Sequence, residues 1–181
     1  LVTRWNAFAN LTGARDELDF ARRFIVDAMA IARFVRGPRV ADLGSGAGLP
    51  GVVLAILDPG TQLVLVEARA RRARFLDQVR IELALGNVAV VAARIEHWHP
   101  AERPDTIVCQ AVGSLSLLMA LTAHLHTANS RILALKGQVP ADELAELGPA
   151  AAACEVQPLV VPGWETRHLV TIHCGRLGQA G

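Results

Sequence analysis

Short apolar runs alternate with helical periods along almost all of this 181-residue chain, and that alternation most narrows what it can fold into. Residues 39–43, 63–66, 88–92, 105–109, 131–135, 156–161 and 168–173 read as seven strands. Between them the spacing predicts helices over 49–57, 69–85, 115–125 and 141–153. Strands that alternate with helices imply a mostly parallel sheet with helices on both faces. Only a Pro162-Gly163 turn region separates the last two strands, so they are expected as antiparallel neighbours, with the last strand antiparallel in the sheet. Upstream, Leu18, Ala21, Ile25, Ala28, Ala32 and Val35 recur at three and four, the period of an amphipathic helix over 16–35 that Gly37-Pro38 stops. The expected fold class is α/β, a Rossmann-like doubly wound sheet in one domain over 1–181. Its parts are an N-terminal helical segment, 1–36, and a core, 37–181.

Composition excludes several classes. A hydrophobic fraction of 52% against 19% charged residues is incompatible with a disordered chain. No apolar run approaches the roughly 18 residues that a membrane span requires, so no membrane partner is expected. Cys109, Cys154 and Cys174 form no Cys-x-x-Cys and leave one over, which fits a reducing cytoplasm rather than a disulfide framework. His97/His99 and His124/His126 are spaced two apart, unlike a helical metal pair, and no metal is expected. The start, Leu1-Val2-Thr3-Arg4-Trp5-Asn6, carries no signal peptide and no initiator Met, as in a trimmed version of a longer chain. Formal charge is +1, so no global field announces a partner. Lys136 is the single lysine among 18 basic residues. An arginine codon bias accounts for most of the others.

The chemistry-bearing stretch is Asp42-Leu43-Gly44-Ser45-Gly46-Ala47-Gly48-Leu49-Pro50-Gly51, at the junction of the first strand and the next helix. Open sheets of this class bind ligands at the carboxyl ends of their strands, and glycines there let a backbone approach a ligand closely. Glu67 ends the second strand, where an acid can accept hydrogen bonds from ribose hydroxyls. Gly46 to Gly51 formally matches the dinucleotide pattern Gly-x-Gly-x-x-Gly. The tight Asp-x-Gly-x-Gly-x-Gly form, however, is that of S-adenosylmethionine sites. A carboxylate at Asp42 attracts the ammonium of that cofactor's methionine end and repels a pyrophosphate. S-adenosylmethionine is therefore the expected cofactor, over NAD, and the fold a class I S-adenosylmethionine-dependent methyltransferase.

On these residues the chain resembles the RsmG (GidB) family of bacterial rRNA methyltransferases along nearly its whole length. The resemblance is carried by Trp5-Asn6, Asn10-Leu11-Thr12, Asp42 to Gly51 with Leu49-Pro50-Gly51, Arg74-Phe75-Leu76 and Ala93-Arg94-Ile95-Glu96. Ala134-Leu135-Lys136-Gly137-Gln138, Val161-Pro162-Gly163 and Arg167-His168-Leu169-Val170 complete it, and Leu-Lys-Gly-Gln and Arg-His-Leu-Val are its most specific elements. It implies methylation of N7 of a guanine, position 527, in 16S rRNA of the small ribosomal subunit, with 16S rRNA or the 30S subunit as partner and a monomeric, cytoplasmic enzyme. It also implies cofactor contacts at Asp42, Gly44, Gly46, Gly48, Leu49, Glu67, Ile95, Glu96 and Gln110, and a substrate side at Asn10, Arg94, Lys136 and Arg167. Two departures stand out. Cys109-Gln110-Ala111 replaces Ser-Arg-Ala, and Arg23-Phe24 replaces Arg-His.

Guanine N7 offers a lone pair and carries no proton, so methyl transfer needs alignment rather than a general base. The roles implied for Lys136 and Gln110 are accordingly positional. Arg69, Arg71, Arg72 and Arg74 read equally as a phosphate-binding face or as a solvated helix. Arg167 can pair with Glu165, and Asn10 can serve as a cap. Trp5, Trp98 and Trp164 are more often packing residues than base platforms. The alternative to an enzyme, motivated by Gln110 and Phe24, is a catalytically weakened cofactor-binding relative that acts as an RNA-binding or ribosome-assembly factor.

Overall fold

All seven predicted strands are present: β1 (Arg39–Leu43), β2 (Gln62–Val66), β3 (Val88–Val91), β4 (Thr106–Gln110), β5 (Arg131–Lys136), β6 (Cys154–Pro158) and β7 (His168–His173). They join in one sheet of order β3-β2-β1-β4-β5-β7-β6. The computed structural model describes residues 1–110, 112–162 and 166–177; Ala111, Gly163, Trp164 and Glu165 lie outside the described residues. β1 to β5 pair in parallel, and β7 inserts antiparallel between β5 and β6. The chain leaves β1 towards β2 and β3, then returns to β4 on the other flank. The carboxyl ends of β1 and β4 therefore flank the switch point, where open sheets of this kind hold ligands.

The pleat sorts the core into two layers. Val40, Leu63, Leu65, Val108, Leu133 and Leu169 join one apolar cluster with residues of α4 (Gly51–Leu57) and α5 (Ala70–Glu82) and with Ile31 of the N-terminal helical run. Ala41, Val66, Ile107, Cys109, Ile132, Ala134, Val170 and Ile172 join the other, with α6 (Leu115–Thr122). Apolar residues on both faces of each strand explain why these strands read as continuous hydrophobic runs rather than alternating ones.

Element boundaries differ from the sequence reading where backbone geometry intervenes. Residues 44–50 are loop, because Gly44, Gly46 and Gly48 all take positive φ, so α4 begins at Gly51 rather than at 49. The helix over 141–153 divides into α7 (Ala141–Glu146) and a 3-10 stretch, Gly148–Ala153. Gly148 is left-handed there (φ 54) and Pro149 brings no N–H. A helix the sequence reading did not single out, α1 (Val2–Ala9), precedes the first predicted one. The helical run over 16–35 consists of α2 (Glu17–Phe20), a π turn (Ala21–Ile25), α3 (Val26–Ile31) and a 3-10 turn (Ala32–Phe34). Asp16 caps its start by accepting the Asp19 N–H at 2.8 Å. The guanidinium of Arg167, just before β7, donates through Nε to both oxygens of Asp27 at 3.2 and 3.1 Å. That pair joins α3 to the sheet. Burial pushes the Asp27 carboxyl up, and Arg167 and Arg23 pull against that shift.

Candidate active site

Asp42 lies in β1 on the face covered by α4, with no exposed surface. Its Oδ2 accepts the Gly51 N–H at 2.9 Å, at the start of α4. A side chain at position 51 would not fit, because a Cβ there would stand 2.4 Å from Leu65 Cδ2 and 2.6 Å from Asp42 Oδ2. The other oxygen, Oδ1, is buried without a hydrogen-bond partner. Such an atom is costly to leave unpaired. Burial pushes the carboxyl up to about 7, the Glu67 charge adds to the shift, and the Gly51 N–H and Ser45 oppose it. On the neighbouring strand, burial and the Asp42 charge hold the Cys109 thiol well above its ordinary range, so it stays neutral.

Above Asp42 the glycine loop folds over the strand ends. Gly44 and Ser45 donate backbone N–H groups to Val66 O at 2.8 and 3.2 Å, and Gly48 donates to Ser45 O at 2.7 Å. Ser45 Oγ donates to Asp42 O at 2.8 Å. Glu67, buried just past β2, accepts the Gly46 N–H at 3.0 Å on Oε2 and the Arg69 N–H at 2.8 Å on Oε1. Each oxygen retains a second lone pair. The acid thus fixes the loop and also keeps acceptor capacity beside it.

A cavity of about 260 Å³ opens over the loop, lined by Gly44 to Ala47 and Leu49, with Leu11, Thr12, Phe24, Arg72 and Gln110. Gln110, last in β4, is half-buried. Leu11 and Thr12 are held there by Asn6, whose Oδ1 accepts both their N–H groups at 2.7 and 2.9 Å. Asn6 thus ties the first helix to the Leu11-Thr12 segment, while the Trp5 ring packs on Phe75 at 5.6 Å between centroids. Asn10 itself is the left-handed cap of α1 (φ 47), and its carbonyl accepts from Arg72 Nη2. Arg72 therefore turns inward, apart from Arg69, Arg71 and Arg74, which are exposed. It precedes the buried Phe75 and Leu76 by three and four residues, a helical spacing that marks the same stripe. Sequence reasoning missed that signal.

The remaining predicted residues sit along the same carboxyl edge but outside this cavity. Ile95 and Glu96 form a 3-10 turn (Ile95–His97) after β3, and Arg94 Nε donates to Glu96 Oε1 at 2.6 Å. The residue assigned to the substrate and the one assigned to the cofactor thus bond each other. Lys136 ends β5 beside Leu135, which pairs with Gln110 across the ladder. Its ammonium donates to both Glu143 oxygens at 2.8 Å and to Gly113 O at 3.2 Å. Glu143 Oε2 also accepts the Leu115 N–H at 2.7 Å, so one carboxylate links β5, α6 and α7. Glu143 was not singled out from sequence, although it follows Asp142 in the first turn of a predicted helix. Among the described residues no group of three or more His, Cys, Asp or Glu is placed to hold a metal ion. No helix there is long and apolar enough to cross a membrane.

The sheet order, with the glycine loop at the carboxyl end of β1, defines the fold of class I methyltransferases. Solved structures agree on the fold. A SAM-dependent methyltransferase from Aquifex aeolicus superposes with a TM-score of 0.64 at 15% identity, covering 88% of this chain and 94% of that one. A SAM-dependent O-methyltransferase from Thermotoga maritima gives 0.62 at 16% identity, over 81% of this chain and 64% of the other. Sequence relatives are named ribosomal RNA small subunit methyltransferase G. The one from Nitrosomonas eutropha is 38% identical over 178 residues, 96% of this chain and 83% of its own length. That from Chromohalobacter salexigens is 42% identical over 163 residues, 90% and 78% respectively. The model of the GidB family, rRNA small subunit methyltransferase G, matches residues 1–170, and the chain belongs to that family.

Proposed function

We infer that residues 1–181 act as one methyltransferase domain that transfers a methyl group from S-adenosylmethionine to guanine N7 at position 527 of 16S rRNA, free or in the 30S subunit. The observation that carries the cofactor in this reading is the buried, partnerless Oδ1 of Asp42 beneath a glycine loop, and membership of the rRNA methyltransferase family supports the substrate. An ammonium group delivered to that atom, directly or through one water, supplies the missing donor. Gly44 and Gly46 present no Cβ to the cavity where the cofactor must approach, whereas Gly48 makes room for Val52 beneath the loop. Glu67, with acceptor capacity left after fixing the loop, suits a ribose diol.

The cofactor supplies a methyl carbon activated by a sulfonium. The chain supplies placement. Asp42 and Glu67 fix the two ends of the cofactor, and Gln110, at the end of β4, lines the cavity over the loop with a neutral amide. Lys136, Arg94 and Arg167 meet the RNA at the carboxyl edge, and exposed Arg69, Arg71 and Arg74 add base-blind phosphate contacts. Because N7 carries no proton, no side chain needs to remove one, and in-line alignment is the main catalytic contribution.

The reading is tested by incubating the purified protein with methyl-labelled S-adenosylmethionine and 30S subunits lacking the modification, then digesting the RNA to nucleosides. Label in 7-methylguanosine is expected. Retained S-adenosylhomocysteine binding with no label in RNA would instead favour the assembly-factor reading.

A further inference from the structure

We propose that Phe24 and Gln110 form the base-binding wall of the active-site cavity, with the Phe24 ring as the surface against which the target base lies. The inference deepens the guanine-N7 reading and rests on it. Phe24 comes from the N-terminal helical run and Gln110 from the end of β4, yet both line one cavity with Gly44 to Ala47. The run is distorted at this point. Residues Ala21–Ile25 form a π turn between two α segments. Such turns cost hydrogen-bond geometry and recur at functional sites. Behind the ring, Phe24 packs with Ala47 on Ala28, Leu49 and Val53, and the Phe20 ring lies 5.7 Å away between centroids. This apolar backing holds the ring at the cavity instead of letting it collapse into the core.

The chemistry of the transfer calls for such a surface. As N7 attacks, its lone pair becomes the bond to the methyl carbon, and the carbon–sulfur pair remains on sulfur. No proton moves. The positive charge leaves the sulfonium and appears on the purine, so the product base is a cation. An aromatic face attracts a cation through its quadrupole and stacks on a purine in either charge state. The Arg23 guanidinium stands 5.3 Å from the Phe24 centroid and occupies one face. Its charge is met by Asp19 at 3.4 Å and the Gly13 carbonyl at 3.3 Å, and the base meets the part of the ring that lines the cavity. Gln110 adds an uncharged donor and acceptor at the base edge, and the Arg72 guanidinium that also lines the cavity is turned to the Asn10 carbonyl.

The test uses the protein saturated with S-adenosylhomocysteine, titrated calorimetrically with guanosine and with 7-methylguanosine. Single-turnover methyl transfer to 30S subunits is measured alongside. Wild-type protein should bind the methylated, cationic nucleoside about three- to tenfold more tightly, the span of a partly desolvated cation–π contact. Phe24→Leu keeps an apolar side chain on the Ala28–Leu49–Val53 platform. It should lose the preference and slow transfer by a similar factor, while S-adenosylhomocysteine affinity stays within about twofold. Phe24→Trp should restore both, an aromatic rescue that a purely packing role would not produce. Equal binding of the two nucleosides by wild type, or an undiminished preference and rate in Phe24→Leu, would overturn the proposal. If wild type puts no methyl on guanine N7, the function reading fails. Normal transfer with an unchanged nucleoside preference sinks only the wall.

Discussion

At the scale of single residues, Asp42 concentrates the account. Its carboxyl is pushed up to about 7 in the folded protein, above the ordinary value near 3.9 that it has when unfolded. The sign follows: Asp42 contributes stability that is fully present below about pH 4 and is lost as pH rises through about 7. A bound ammonium favours the ionised form, so cofactor binding below pH 7 should release a proton. Calorimetry of S-adenosylhomocysteine binding at pH 6 in buffers of different ionisation enthalpy measures that proton directly. Asp42→Asn should abolish the release and weaken binding about ten- to a hundredfold, the scale of one charge-assisted hydrogen bond. A second expectation concerns Lys136, whose ammonium is held by Glu143 and Gly113 outside the glycine-loop cavity. Lys136→Ala should lower methyl transfer while leaving S-adenosylhomocysteine affinity within about twofold. A large loss of that affinity would place the lysine in the wrong site.

At the scale of elements, two contacts decide whether the site is assembled. Helix α4 can start against β1 only because position 51 has no side chain. Gly51→Ala drives a methyl into Leu65 and Asp42 and should destabilise the fold by about 1–3 kcal/mol, read from the urea midpoint. The Arg167–Asp27 pair is mostly buried, with 16% and 1% of the two side chains exposed. Arg167→Met leaves a buried carboxylate without this partner and should cost about 3–5 kcal/mol. Adding Asp27→Asn should recover part of the loss in thermal unfolding, the coupling expected of a direct pair. These contacts also show what the sequence can carry. Strands β1, β2 and β7 were legible within a residue, because apolar runs bounded by Gly and Pro encode strand ends locally. The π turn at Ala21–Ile25 was not, because the same three-and-four spacing serves an α-helix and a helix with one widened turn. Asp27 as the partner of Arg167 was beyond reach too, since 140 residues separate them and only the packed α3 brings them together.

At the scale of the whole molecule, the near-zero net charge resolves into local pairs. Asp42 and Glu67 lie buried at the glycine loop. Three candidate substrate cations each meet an acid: Arg94 with Glu96, Lys136 with Glu143 and Arg167 with Asp27. Composition could not show this, because pairing is a property of the fold. The glycine loop with its two acids was the most legible part of the candidate site, since a strand, a glycine loop and a following acid succeed one another along the sequence. The cavity wall of Leu11, Thr12, Phe24 and Arg72 was the least legible, because a loop after α1 and two separate helical elements contribute to it. The central claim is transfer to N7 of one guanine. It is tested most directly by treating unmodified 30S subunits with the protein and S-adenosylmethionine, then reducing the 16S rRNA and cleaving the chain wherever 7-methylguanosine stood. One new strand break is expected, at position 527. An RNA that stays intact there, after incubation with protein shown to bind S-adenosylhomocysteine, would contradict it.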